Sequence, residues 1–237
     1  VSGRLIYIVE GNQYHPRGGA LILTREEETH RPIIQKDHVY ERMMLQFDRE
    51  LLRVIDPQGF LEKPFFNRPL GRNNLYPSAQ IQSGFLFECM KNMERTGSEG
   101  EKQMALLSNF PPVLAEIYRA YSSIDKPVVP EPADCAQEII AYINDHLTEE
   151  LSLELLSKRF YLSKPQLSRQ FKQITGSSVW EFIMIKRLSK ARQMLRTGEP
   201  AMRAAEQCGF HNYSVFFRAF RSRYGHSPQE EKRSMKR

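Results

Sequence analysis

Gly209-Phe-His-Asn-Tyr-Ser-Val-Phe-Phe-Arg-Ala-Phe-Arg-Ser-Arg-Tyr-Gly-His-Ser-Pro228 is the stretch whose reading decides the fold. Asn212 is a side chain that caps helices, and Phe216 and Phe220 follow at one-turn spacing as a buried side. Tyr224 ends the helix and Gly225 closes it, while Tyr213, Ser214, Val215, Arg218, Arg221 and Arg223 face outward. Just upstream, Pro200 can open a shorter helix, in which Ala201, Ala204, Ala205 and Cys208 make a small-residue face that ends at Gly209-Phe210. Short helix, glycine turn and basic second helix form one helix-turn-helix unit.

A second such unit lies further upstream. Ser152 caps a short amphipathic helix through Leu153, Leu156 and Phe160, and after Tyr161-Leu162 comes Ser163, which caps another, with Pro165 in its first turn. Leu167, Phe171 and Ile174 form its buried side before Gly176 stops it. The opposite face carries Lys164, Gln166, Ser168, Arg169, Gln170, Lys172 and Gln173, the cationic and amide groups that phosphates and base edges accept. Between the units, Ser178 to Leu195 reads as a long spacer helix. Phe182, Ile183, Leu188, Ala191 and Leu195 pack there, and Lys186, Arg187, Lys190, Arg192 and Arg196 are expected in water. Ile139, Ile140, Ile143 and Leu147 add a further buried stripe.

Charge is divided unevenly between the two halves. The formal net charge is +6, yet residues 1–130 hold 16 basic and 16 acidic side chains. From Lys158 onward there are 18 basic side chains against five acidic ones, a surplus of 13 over eighty residues and a density suited to a polyanion.

The residues Ser163 to Gly176, Arg187-Leu188, Ala191, Leu195, Gly209-Phe210, Phe216, Arg218, Phe220, Gly225 and Ser227-Pro228 resemble the DNA-binding domain of AraC/XylS-type transcription regulators. The likeness runs from residue 135 to about 232. It departs from the family habit at Ala201 and Ala204, where larger aliphatics are usual, at Ser157, usually alanine, and at Glu231-Lys232, usually an aromatic-arginine pair. The resemblance implies that helices 163–173 and 212–223 enter successive major grooves on one face of double-stranded DNA, roughly 34 Å apart. Lys164, Gln166, Ser168, Arg169 and Lys172, then Asn212, Tyr213, Ser214, Arg218 and Arg221, are the candidate DNA contacts. RNA polymerase as a further partner, and pairing into a homodimer, are likewise implied.

Asp125-Lys-Pro-Val-Val-Pro-Glu-Pro132 places three prolines in six residues and is read as an interdomain linker. It separates a domain at 1–124 from one at 133–237. Before it, Leu5 to Val9, Ala20 to Thr24 and Met43 to Phe47 are β-rich runs separated by turn residues, the pattern of a small sandwich or barrel. Residues 79–95 and 101–122 change to helical spacing, with Ile81, Phe85, Leu86 and Cys89 on one face, and Pro111-Pro112 is expected to interrupt or start a helix. Gly19 to His30 followed by Tyr40 to Phe47 resembles the cupin-like effector domain that often precedes this DNA-binding domain, which implies a small β-barrel with flanking helices. That domain commonly binds a small molecule, frequently a sugar, and its helices pair subunits. The fold class expected is therefore mixed α and β in two domains, the second all-α with about seven helices.

Glu10, His30 and Tyr40 are the candidate effector contacts, because polar groups at strand ends orient ligands near a barrel mouth. His15, Glu28, His30 and His38 lack a close His-x-His pair, so no metal is expected, and no cofactor. Cys89, Cys135 and Cys208 are odd in number and widely spaced, against a disulfide framework and in favour of a reducing cytosol. No apolar run is long enough for a membrane helix and no export pattern opens the chain, so a cytoplasmic protein is expected. The chain begins almost within a strand, which suggests that a first strand precedes Val1. No phosphate loop, Ser-His-Asp order or Cys-His pairing stands out, so the expectation is a regulator rather than an enzyme. The alternative is a constitutive DNA-binding protein whose first domain only dimerises or contacts another protein.

Overall fold

A computed structural model describes residues 5–34, 40–94, 97–123, 131–132 and 134–234, which divide into two compact units, Val1–Glu131 and Pro132–Arg237. Most of the proline-rich linker lies outside the described residues.

In the first unit, β1 (Leu5–Val9) and β2 (Asn12–Tyr14) form a hairpin in register Tyr7↔Tyr14 and Val9↔Asn12, turned by Glu10 and Gly11 at φ of 50° and 76°. Positive φ at both turn residues matches the right-handed twist of the flanking strands. On the other side of β1 lies β4 (His30–Ile34), antiparallel, with Val9 opposite His30. The short strands β3 (Leu21–Ile22) and β5 (Leu75–Tyr76) pair separately. These strands make two small sheets and, among the described residues, no closed barrel.

The expected strand Met43–Phe47 is not one. Its alternation is real, with Leu45 and Phe47 turned inward and Met44 and Gln46 exposed, but the inward side chains pack on helices. The Phe47 ring meets Phe65 at 5.6 Å and Phe110 at 5.1 Å, edge to face. A period of two reports an extended chain over a core and does not supply a hydrogen-bonding partner.

The remainder of the unit is helical: α1 (Arg49–Ile55), α2 (Lys63–Phe66), α3 (Ser83–Met93) and α4 (Glu99–Ser122). Ser98 and Glu101 cap α4 reciprocally. Contrary to expectation, α4 runs through Pro111 and Pro112. The carbonyls these prolines leave unbonded belong to Leu107 and Ser108, both exposed, so water can satisfy them. Phe110, Val113, Leu114, Ile117 and Ala120 hold the helix onto Leu86 and Cys89 of α3. Phe85, expected on the buried face, is exposed.

The second unit has seven helices among the described residues: α5 (Asp134–Asp145), α6 (Leu153–Arg159), α7 (Lys164–Thr175), α8 (Val179–Arg196), α9 (Ala201–Gln207), α10 (Tyr213–Tyr224) and α11 (Pro228–Ser234). They build two cores that share no buried residue. One joins Ile139, Ile140, Ile143 and Leu147 to Leu156, Leu167, Phe171, Val179, Phe182 and Ile183. The other joins Leu188, Ala191 and Leu195 to Ala204, Ala205, Cys208, Phe210, Phe216 and Phe220. Helix α8 serves both, its first half in one and its second half in the other. Ala201 and Ala204, small where bulk was expected, leave room for the aromatic rings of α10 in this second core.

Candidate nucleic-acid interface

Each helix-turn-helix is fixed by local chemistry. Ser163 Oγ accepts from the Gln166 backbone N–H, and the Gln166 side-chain oxygen accepts in return from the Ser163 N–H. The last turn of α7 ends on Gly176 at φ 82°. Ser157, where the family has alanine, donates its hydroxyl to the Leu162 carbonyl and so closes the turn between α6 and α7. At the second unit the Asn212 side chain accepts from Ser214 N at 2.8 Å and Val215 N at 3.3 Å, and Gly225 ends α10 at φ 79°. A lost cap of this kind costs about 1 kcal/mol.

Burying Leu167, Phe171 and Ile174 turns the other face of α7 outward, and Lys164, Gln166, Arg169 and Lys172 are exposed there. Ser168 is half-buried. Lys164 meets Glu154 of α6 at 3.2 Å, and Glu154 also holds Lys158 at 2.9 Å. Hydrogen bonding to Lys158 and Lys164 keeps the Glu154 carboxyl below its ordinary pKa. On α10, Ser214, Arg218 and Arg221 are exposed, and Arg218 Nε donates to the Ser214 carbonyl at 3.3 Å. Tyr213 is partly buried, its ring near Phe216 and its hydroxyl accepting from Gln229 at 2.7 Å. Asn212 is exposed but its side-chain oxygen is occupied by the cap. Among the candidate contacts, Arg169, Lys172, Arg218 and Arg221 are thus the exposed cations of the two helices that stand apart from the Lys164–Glu154 ion pair.

The spacer helix differs from expectation. Of its five cations expected in water, only Lys190 is exposed. Lys186 is buried, its ammonium 5.4 Å from the centre of the Phe182 ring. Arg187 donates to the carbonyls of Leu147 and Glu149 at 2.9 and 2.7 Å. Arg192 and Arg196 converge on Glu231 of α11 at 3.0 and 2.6 Å, where His226 also approaches at 2.6 Å. Glu231, in place of the usual aromatic, thus seats α11 by charge on two arginines that charge counting alone assigns to solvent.

Tyr161 was not singled out by sequence reasoning. It stands in the turn between α6 and α7 at φ 53° and is 95% exposed. A large side chain in left-handed backbone is uncommon and is the detectable signal.

In the first unit Glu10 is buried and accepts from Thr29 N and Oγ1 at 2.6 and 2.8 Å. His30 is exposed, stacked on Tyr7 with ring centres 6.1 Å apart. Tyr40 packs against the cluster of Tyr7, Tyr14 and Leu75. The structure therefore brings His30 and Tyr40 to Tyr7, and commits Glu10 to fastening its own turn. Glu28 is fully buried in a two-pronged pair with Arg68 at 2.6 and 2.8 Å, supported by Gly71 N and Asn74. His38 lies outside the described residues. Among the described residues no helix is long and apolar enough to cross a membrane.

A family model described as a helix-turn-helix domain matches residues 156–234. An HTH-type transcriptional activator RhaS from Enterobacter sp. (strain 638) is 30% identical over 237 positions, covering 96% of this chain and 81% of that protein. The activator of the same name from Escherichia fergusonii is 28% identical over 233 positions, with the same coverage. Among solved structures, the C-terminal domain of AraT from Geobacillus stearothermophilus is 28% identical, covers 43% of this chain and 85% of that one, and has a TM-score of 0.41. With likeness of this extent reaching across both units, and two capped helices presenting basic faces within the matched residues, the chain belongs to the AraC/XylS-type family of transcription regulators.

Proposed function

We propose that this DNA-binding regulator reads two adjacent major-groove sites with α7 and α10 and activates transcription from the cytoplasm in response to a small molecule, with a sugar as the leading class. The carrying observation is the pair of capped helices, each with an apolar face sunk in its own core and an exposed face bearing Arg169 and Lys172 or Arg218 and Arg221. The activator name of the relatives supports the direction of regulation. Its family is one of regulators, not of enzymes. Pairing of two copies is supported by Phe85, Phe87, Met104 and Leu107 of α3 and α4, which leave apolar surface exposed, and RNA polymerase is the partner through which an activator acts.

Selection of bound duplexes from a random pool tests the reading. Two short conserved blocks about a helical turn apart are expected, with affinity falling steeply as salt rises because phosphate contacts release counterions. Arg169→Ala is expected to cost about 1 to 3 kcal/mol of specific affinity and to relax preference at one base position. Unchanged affinity and footprint would remove Arg169 from the base-reading set.

The engagement of Glu10 with Thr29 favours a second reading, in which the first unit only pairs subunits or contacts another protein and the regulator is constitutive. Thermal melting with a panel of sugars separates the two, since a ligand that binds the folded state raises the midpoint.

A further inference from the structure

Two readers on one domain are useful only if their separation and relative rotation are held, since each must meet its groove at the same time. The two cores of the second unit share the shaft of α8 but no buried side chain. Their relative rotation therefore depends on contacts made around the crossing on α8. At that crossing, between Ile183 of the first core and Leu188 of the second, sits Arg187.

Its guanidinium spans the gap. Nε donates to the Leu147 carbonyl at 2.9 Å and Nη2 to the Glu149 carbonyl at 2.7 Å, so the side chain ties mid-α8 to the chain leaving α5. From the other side comes the turn of the second helix-turn-helix. Gly209, at φ 79°, lies so close that a Cβ there would stand 2.7 Å from the Leu147 carbonyl oxygen and 2.9 Å from the Arg187 Cζ. Three segments thus converge at one point: the end of α5 from the first core, the middle of α8, and the α9–α10 turn from the second. A planar group with donors in fixed directions suits this junction, because it can bind two carbonyls at once while the absence of a Cβ at Gly209 leaves it room.

We infer that Arg187, clamped between the Leu147 and Glu149 carbonyls and Gly209, is a positioning residue that fixes the spacing of the two DNA-reading helices and so selects operators by the distance between their blocks. It touches no DNA in this scheme, and it acts through the placement of α10 relative to α7. The inference rests on the two-groove reading proposed above.

The test uses the full chain and the duplex recovered by selection with the unaltered protein. Three kinds of duplex are compared at low ionic strength: both blocks at native spacing, both blocks with one base pair inserted or removed between them, and either block alone. The unaltered protein should lose tenfold or more when the spacing changes. Arg187→Ala should weaken binding to the native duplex at least tenfold, keep single-block binding within about twofold, and flatten the penalty for altered spacing. Arg187→Lys, which keeps the charge but cannot bridge both carbonyls in a plane, should behave like the alanine variant in spacing preference while retaining the native thermal midpoint more closely. An equal loss on single-block and two-block duplexes, or an undiminished spacing penalty in a folded lysine variant, overturns the inference. A selection that returns no two-block sequence for the unaltered protein instead sinks the two-groove reading beneath it.

Discussion

Phe171→Ala should unfasten α7 from its support, and the size of the effect can be worked out from the packing. The Phe171 ring is completely buried, in the core that joins α7 to α5, α6 and α8, and it meets the Phe182 ring edge-on with centres 5.2 Å apart. Truncating a buried phenylalanine to alanine costs about 3 to 5 kcal/mol, and loss of the ring pair falls within that figure. A unit spanning Pro132–Arg237 has a total stability of about 5 to 15 kcal/mol, so the variant loses between about a fifth of its margin and all of it. Phe171→Leu, which keeps most of the apolar volume, should lose only about 1 to 2 kcal/mol. Urea unfolding followed by helical circular dichroism reports both changes. With a urea slope of about 2 kcal/mol per molar, the alanine variant's midpoint falls by about 2 M. A fall of less than about 0.5 M at unchanged slope would refute the claim that this ring anchors the helix.

Other perturbations have equally definite outcomes. Tyr161→Gly removes the left-handed strain of a bulky residue, worth about 1 to 2 kcal/mol, against the greater unfolded freedom of glycine, so a net gain of about 0.5 to 1 kcal/mol is expected in thermal melting. A lower midpoint would show that the tyrosine ring stabilises the turn. Glu28→Ala leaves Arg68 charged and buried, at a cost of about 3 kcal/mol or more, and hydrogen exchange in peptides covering 5–14 and 68–76 should accelerate about a hundredfold. Acceleration below threefold counts against the pair. Glu116 binds Arg119 and the Gln82 N–H, and the Arg119 hydrogen bond holds its carboxyl below its ordinary value of 4.5. A depressed folded value means stability that is full above 4.5 and is lost as pH falls through the folded value. Glu116→Gln should therefore be less stable than the parent at neutral pH and show a flatter acid limb in urea titrations; parallel limbs would refute the linkage.

What could be read from the chain before folding was whatever is decided within a few residues. The limits of α7, α8 and α10 follow from Ser163, Ser178 and Asn212 at their starts and, for α7 and α10, from the glycines after them, because capping is a contact between near neighbours. Where the partner is distant, pattern misled. Met43–Phe47 alternates as a strand does, yet its inward side chains are met by Phe65 and Phe110, which no local rule points to. Arg192 and Arg196 carry charge on a helix and read as solvated until Glu231, some 35 residues on, takes both. Arg169, Lys172, Arg218 and Arg221 could be placed outward from the local pattern because the apolar side chains opposite them on the same helices fix which face is buried. The effector candidates are harder to read, since a ligand-binding polar group and one that fastens a turn, as Glu10 does, are the same residue type.

Two hydrophobic centres strung along α8, with no interior side chain in common, give the domain a particular relation to inherited change. Substitutions too far apart to share neighbours combine almost additively. A replacement under Phe216 therefore leaves the packing of Phe171 undisturbed, and descendants can rework one core while the other keeps its inherited contacts.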